Sequence, residues 1–254
     1  MNEQTIYYII LVSFLALSFV TFIVLFFFPA PYGRYATKSW GPLMNNRVAW
    51  IVQEMPAFLM MFVYCLIADR PLTAATAVLL FLWQTHFFHR TFIYPFTLRG
   101  GKPVPLVTVV MAILFYLANT YVQGRWLFTL SPKNMYISAW LADPRFLFGT
   151  LLFIIGYIIN RHSDCILRSL RKPGESGYKI PRGGLYTYVS CPNYLGEIII
   201  WAGWSLATWS LAGVYFFIWT LANLVPRARA HHYWYKTTFS DYPPERKILF
   251  PFMW

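Results

Sequence analysis

Glu54, in the run Gln53-Glu54-Met55-Pro56, is a carboxyl group inside an apolar stretch, where an ionised acid is costly unless it is paired or faces a cavity. Two states meet that demand. The acid is salt-bridged to a base, or it is protonated, since desolvation favours the neutral form and a neutral acid can donate a hydrogen bond at pH 7. A helix-packing hydrogen bond to Gln53 is the structural alternative, and Pro56 predicts a local break that opens a site. The run His86-Phe87-Phe88-His89-Arg90-Thr91-Phe92-Ile93-Tyr94, read as a helix, stacks His86, Arg90 and Tyr94 along one face at i, i+4 and i+8. Asn160, Asp164, Arg168 and Arg171 fall within about 80° on one helical face. Such a stripe of amide, carboxylate and guanidinium groups can bind ribose hydroxyls, a base edge and phosphates in sequence, which is the layout of a nucleotide. Asn193, Glu197 and Trp201 repeat the i, i+4, i+8 spacing after Cys191-Pro192, and His231 with Tyr235 forms a third face. Three such faces beside basic loops predict a buried polar site.

The elements that must position these groups are helices in lipid. With 58% hydrophobic and 12% charged residues, the chain has too little polar surface to cover a soluble globule of its size. Ile6 to Phe28 carries no charge and is long enough to span a hydrocarbon core of about 30 Å. It lacks a basic leader and a small-residue cleavage site, so it reads as a retained first span. Further spans are expected at Val48 to Ala68, Leu72 to His89, Val104 to Tyr121, Phe146 to Cys165, Tyr194 to Leu206 and Ser210 to Val225. The expectation is an all-α, multi-pass membrane protein of about seven helices. It forms a single domain over residues 1–254, with no linker or repeat.

With those spans, one set of loops holds only Arg70, Arg125, Lys133 and Arg145, and the other set and the tail hold the remaining Lys and Arg residues. Basic loops stay cytoplasmic, so the N-terminus is expected outside and the C-terminus in the cytoplasm. The net charge of +12 does not indicate nucleic acid, because the bases are spread over membrane-proximal loops rather than one arm or helix. Topology and anionic lipid headgroups account for about half of them. Cys65, Cys165 and Cys191 form neither a disulfide framework nor a metal motif and read as small apolar fillers. The five His residues do not have the spacings of a membrane di-iron site, so no metal is expected. Neither a dinucleotide-binding Gly fingerprint nor a P-loop is present, and any cofactor must sit among the helices.

The motifs resemble the steroid 5α-reductase family. The resemblance is carried by Asn160-Arg161-His162-Ser163-Asp164 and by Leu167-Arg168-Ser169-Leu170-Arg171-Lys172-Pro173-Gly174. It continues through Gly177-Tyr178-Lys179-Ile180-Pro181-Arg182-Gly183-Gly184-Leu185, Asn193-Tyr194-Leu195-Gly196-Glu197, Ala207-Thr208-Trp209-Ser210 and His231-His232. Gln53-Glu54-Met55-Pro56, His89-Arg90-Thr91, Arg99-Gly100-Gly101-Lys102-Pro103 and Asp241-Tyr242-Pro243 extend it over nearly the whole chain.

The resemblance implies a membrane enzyme that uses NADPH to reduce the C4=C5 double bond of a 3-oxo-Δ4-steroid, with Glu54 at the 3-keto oxygen and Gln53 beside it. It places Asn160, Asp164, Arg171, Asn193, Glu197, Arg227, His231, Tyr235 and Arg246 along the cofactor, with Arg90, Tyr94 and Arg168 as further phosphate or ribose groups. One position departs from the family pattern. Phe87 stands where the family has a tyrosine whose phenol assists the acid at the ketone, which predicts slow but nonzero turnover and a faster Phe87→Tyr variant. The expected partners are an apolar enone entering from the lipid and the membrane lipids themselves, without nucleic acid or an obligate protein. The compartment is the endoplasmic reticulum in a eukaryote and the inner membrane in a bacterium. Competing readings are a reductase of a polyprenal or an enoyl-CoA thioester, a membrane methyltransferase using S-adenosylmethionine, and a noncatalytic lipid-binding protein or scaffold.

Overall fold

The computed structural model describes residues 2–29, 33–35, 40–99, 102–172, 175 and 177–254. Lys38, Gly100-Gly101 and Pro173-Gly174, which belong to the basic loops and motifs, lie outside the described residues, as does the side chain of Arg34. Eight α-helices make up most of the described chain: α1 Glu3–Phe27, α2 Asn46–Leu66, α3 Ala74–Phe88, α4 Tyr94–Thr97, α5 Leu106–Arg125, α6 Pro144–Ser169, α7 Pro192–Thr208 and α8 Leu211–Thr238. A two-residue antiparallel ladder, β1 Leu43–Met44 with β2 Val104–Pro105, ties the start of α2 to the start of α5.

Most helix starts are specified locally. Asn2, Asn45, Asp143 and Ser210 each accept a backbone N–H from the first turn of the helix that follows. Thr73 and Thr76 satisfy each other's backbone N–H in a capping box at the start of α3. Pro144 and Pro192 occupy first-turn positions of α6 and α7, where a missing N–H costs nothing. Trp209, in the left-handed region at φ 44°, ends α7, and α8 begins two residues later. The close junction expected between the sixth and seventh spans therefore falls at Trp209-Ser210, and the last helix runs on past Pro226 to Thr238.

Pro56 breaks no helix. α2 is continuous from Asn46 to Leu66, and the missing N–H at Pro56 is absorbed within it. The break falls instead after α3, where His89–Ile93 form one π-helical turn before Tyr94-Pro95. An extra residue in a turn frees a backbone carbonyl and re-aims side chains, and such turns cluster at functional sites.

Among the described residues, the stretches Glu3–Phe27, Asn46–Leu66, Leu106–Leu130, Pro144–Ser169 and Leu211–Thr238 are long and apolar enough to cross a membrane. With 15 and 17 residues, α3 and α7 fall short of the roughly 20 that a span requires. Both are covered by neighbouring helices, with Trp83 and Trp204 fully buried. α1 is the opposite case: Phe19, Val20, Ile23 and Phe27 are exposed along it, which only a lipid environment makes favourable.

α6 packs on α7, α7 on α8, α8 on α1, and α2 on both α3 and α5. The α6–α7 contact is backbone against backbone. A Cβ at Gly149 would stand 2.3 Å from the Ala207 nitrogen, one at Gly156 2.6 Å from the Ile200 nitrogen, and one at Gly203 2.5 Å from the Phe153 nitrogen. Small residues at that spacing let two helices in lipid approach closely.

Candidate active site

Alternating helix directions bring the start of α2, the end of α3, the end of α6, the start of α7 and the end of α8 to one end of the bundle. There Arg90, on the π-turn, joins two buried acids. Its Nε and Nη2 donate to Glu54 Oε1 at 3.2 and 2.8 Å, and its Nη1 donates to Glu197 Oε1 at 3.2 Å. Glu54 is 1% exposed and paired with a base through Oε1, and no hydrogen bond to Gln53 forms. Its other oxygen, Oε2, is buried without a hydrogen-bond partner. Gln53 itself is half-buried on the neighbouring face of α2.

The face predicted for His86, Arg90 and Tyr94 is present. His86 Nε2 stands 3.7 Å from Glu197 Oε2, and the Arg90 guanidinium lies 5.8 Å from the Tyr94 ring and 4.9 Å from the Trp50 ring. Trp201 donates from Nε1 to Glu197 Oε2 at 3.3 Å, as the spacing on α7 predicts. The polar cluster is thus walled by aromatic rings, which exclude water and strengthen each charge interaction inside.

The stripe on α6 adjoins this cluster. Asn160 donates from Nδ2 to the Asn193 carbonyl at 2.9 Å, and Asn193 donates from Nδ2 to Asp164 Oδ1 at 3.4 Å. Gly196 makes this possible, since a Cβ there would stand 2.6 Å from the Asn160 nitrogen. Arg168 follows on the same helix, near Asp164. Arg171 does not continue the predicted face, because α6 ends at Ser169. Arg171 instead donates to the Gly177 carbonyl at 2.7 Å and the Arg99 carbonyl at 2.9 Å and packs on the Tyr178 ring at 4.8 Å. It ties together two of the loops that carry the sequence motifs.

A further group of predicted residues gathers around the ends of α8 and the tail. Arg227 lies 5.7 Å from the Tyr194 ring, and the Tyr194 hydroxyl is 3.1 Å from His231 Nε2. Tyr235 stacks on Tyr242 at 5.4 Å, and the Arg246 guanidinium lies 5.0 Å from the Tyr242 ring. Arg246 is 4% exposed, yet its Nε and Nη1 have no hydrogen-bond partner among the described residues. Tyr186, also buried with an unpartnered hydroxyl, sits between the two groups, close to Asp164, Tyr194 and Tyr235.

Several participants carried no signal strong enough to single out in the sequence. Arg161, counted there as a loop base, contacts Asn160, the His89 ring and Asp164, the last at 3.8 Å. Ser190 binds the His232 ring and the Tyr242 hydroxyl, each at 2.6 Å, and so fixes the tail against α8. Burial holds the Tyr242 phenol above its ordinary range, so it stays neutral at physiological pH. Trp50 and Tyr116 reach the acid cluster from α2 and α5 and read, in sequence, as ordinary aromatic members of apolar runs. A cavity of about 330 Å³ lined by Cys65, Arg70, Ser131 and Tyr136 lies at the other end of the bundle, away from all these groups.

A bundle with lipid-suited flanks and a water-poor cluster of acids and guanidinium groups at one end defines a membrane-helix protein with a buried polar site. Residues 102–254 match the family described as 3-oxo-5-alpha-steroid 4-dehydrogenase. The chain is 44% identical over 242 residues to 3-oxo-5-alpha-steroid 4-dehydrogenase 1 of Bos taurus, covering 94% of this chain and 93% of that one. It is 46% identical over 242 residues to the Mus musculus protein of that name, covering 93% and 92%. Steroid 5-alpha-reductase DET2 of Gossypium hirsutum is 38% identical over 258 residues, covering 100% and 99%. The chain belongs to the 3-oxo-5-alpha-steroid 4-dehydrogenase family, and it is an oxidoreductase of that family.

Proposed function

We propose that the chain reduces the C4=C5 double bond of 3-oxo-Δ4-steroids with NADPH, adding hydride to C5 while Glu54 holds the 3-keto oxygen. The observation that carries this reading is the half-used carboxyl of Glu54: Oε1 is taken by Arg90 and Oε2 is buried and bare. In this reading Glu54, held by Arg90 through Oε1, is the protonated acid and carries its proton on Oε2, which has no hydrogen-bond partner among the described residues. A ketone oxygen supplies that partner.

NADPH, when bound, supplies the hydride. As the new C5–H bond forms, the C4=C5 electron pair moves to C3–C4 and the carbonyl pair moves onto oxygen, and a proton at C4 then restores the ketone. A donor fixed at the oxygen stabilises the transition state for this shift, typically by a few kcal/mol. Arg90 holds Glu54 in place, and the rings of Trp50, Tyr94 and Trp201 keep water from the developing charge.

The bare N–H groups of buried Arg246 fit an anionic ligand, and Arg227, Arg168 and Arg171 supply further cationic groups at the same end. Asn160, Asp164, Asn193 and Glu197 suit hydroxyl and amide groups, while His231 and Tyr235 offer rings and polar edges. These residues would hold the cofactor. In this reading seven helices cross the bilayer, the N-terminus outside and the C-terminus cytoplasmic, and the steroid enters from lipid toward Glu54.

The test is NADPH oxidation and product analysis with purified protein in lipid nanodiscs. Progesterone or testosterone should be reduced to the 5α product. A preference for an enoyl thioester or a polyprenal would redirect the substrate, and binding of S-adenosylmethionine in place of NADPH would overturn the enzyme class. Glu54→Gln should abolish reduction while NADPH still binds, and retained turnover would remove the acid role from Glu54.

A further inference from the structure

Phe87 has no hydroxyl and is 1% exposed, so it cannot contribute a donor to any ligand. Its ring is met edge to face, at 5.6 Å and 85°, by the ring of Tyr116 from α5. The Tyr116 side chain is half-buried, and its hydroxyl interacts with the Glu54 carboxylate and lies within electrostatic reach of Arg90 and Glu197. That interaction is too long or too bent to be a full hydrogen bond, since Glu54 Oε2 has no partner in hydrogen-bonding geometry. The phenol thus lies beside the Glu54 carboxyl without closing a hydrogen bond to it, and Oε2 is left bare. Two donors so placed suit a single oxygen atom between them.

We propose that Tyr116 is a catalytic residue of this chain, its hydroxyl donating, together with Glu54, to the carbonyl oxygen of the enone substrate. This inference rests on the steroid-reductase reading of the same site. The hydroxyl keeps its proton throughout; it contributes a hydrogen bond that strengthens as charge moves onto the carbonyl oxygen. The phenol absent from α3 is then supplied across the α2–α5 contact, by a helix whose sequence gives no sign of it.

The experiment uses the full chain in nanodiscs with NADPH and progesterone, and follows turnover together with the infrared stretch of the isotopically labelled 3-keto group in the bound steroid. Tyr116→Phe should lower kcat by about tenfold to a hundredfold with KM changed by less than about threefold, and should move the carbonyl stretch back toward its unbonded frequency. Adding Phe87→Tyr to Tyr116→Phe should restore much of the rate and the shifted stretch, which a purely structural role for Tyr116 would not produce. Unchanged kcat and stretch in Tyr116→Phe overturn the proposal and leave the steroid reading standing. A wild-type chain that turns over no 3-oxo-Δ4-steroid defeats that reading, and this inference with it.

Discussion

The α6–α7 seam and the α2–α5 seam flank the same buried acids but are built from opposite materials. The first is glycine against backbone: Gly149, Gly156, Gly196 and Gly203 leave no room even for a methyl group. The second is side chain against helix: a Cβ at Gly124 on α5 would stand 2.7 Å from the Tyr64 side chain on α2. A backbone contact has no rotamer to yield, whereas a side chain can shift in part. The glycine seam therefore fixes the groups proposed to hold the cofactor more tightly than the second seam fixes its side chains. Arg90 belongs to neither seam and joins them, through Glu54 on α2 and Glu197 on α7.

The substitution expected to do most damage cuts that joint. Arg90→Met removes the guanidinium that joins two buried carboxylates, which should cost about 3–5 kcal/mol and eliminate turnover. Thermal unfolding in detergent, with NADPH oxidation, measures both; a variant as stable as wild type would show that the seams hold without it. Next are matched glycine substitutions. Gly149→Ala forces backbone apart and should cost about 3 kcal/mol or more, while Gly124→Ala meets a side chain down to its Cβ, at 2.8 Å, and should cost less, about 2 kcal/mol. Equal losses in the same unfolding assay would erase the contrast between rigid and adaptable contacts.

The smallest effect lies away from both seams, at the start of α6. Arg145 holds the Asp143 carboxyl down from 3.8 to about 2 through a side-chain hydrogen bond, so the ionised form is favoured in the folded state. That contribution is present above the ordinary carboxylate pKa and is lost as pH falls through it toward about 2. Asp143→Asn keeps a capping oxygen but removes the titration. Its melting temperature should fall less steeply than that of wild type below about pH 4, and parallel curves would exclude the linkage.

Much of the site was legible because it is written in short helical spacings. Glu197 with Trp201, and His86 with Arg90 and Tyr94, are neighbours on single helices, and the structure brings each set together. Asn160 and Asp164 were equally plain, but Arg171 was not, since a helical wheel does not know that α6 ends at Ser169. Pro56 misled for a related reason: one missing N–H is tolerated inside a helix that its neighbours support. Arg161 looked like a topology charge, and only the approach of His89 and Asn160 makes it part of the cluster.

By itself the sequence determined the solvent and the class: too few charges for water, long apolar runs, and acids and guanidinium groups at helical spacing beside basic loops. Those properties follow from composition and from neighbours within about two turns of chain. The tertiary structure decided which base meets Glu54, by bringing Arg90 to it from 36 residues away. It also set the Tyr116 ring against Phe87 and its hydroxyl beside the Glu54 carboxyl, because contacts between helices depend on crossing and rotation that no local spacing encodes.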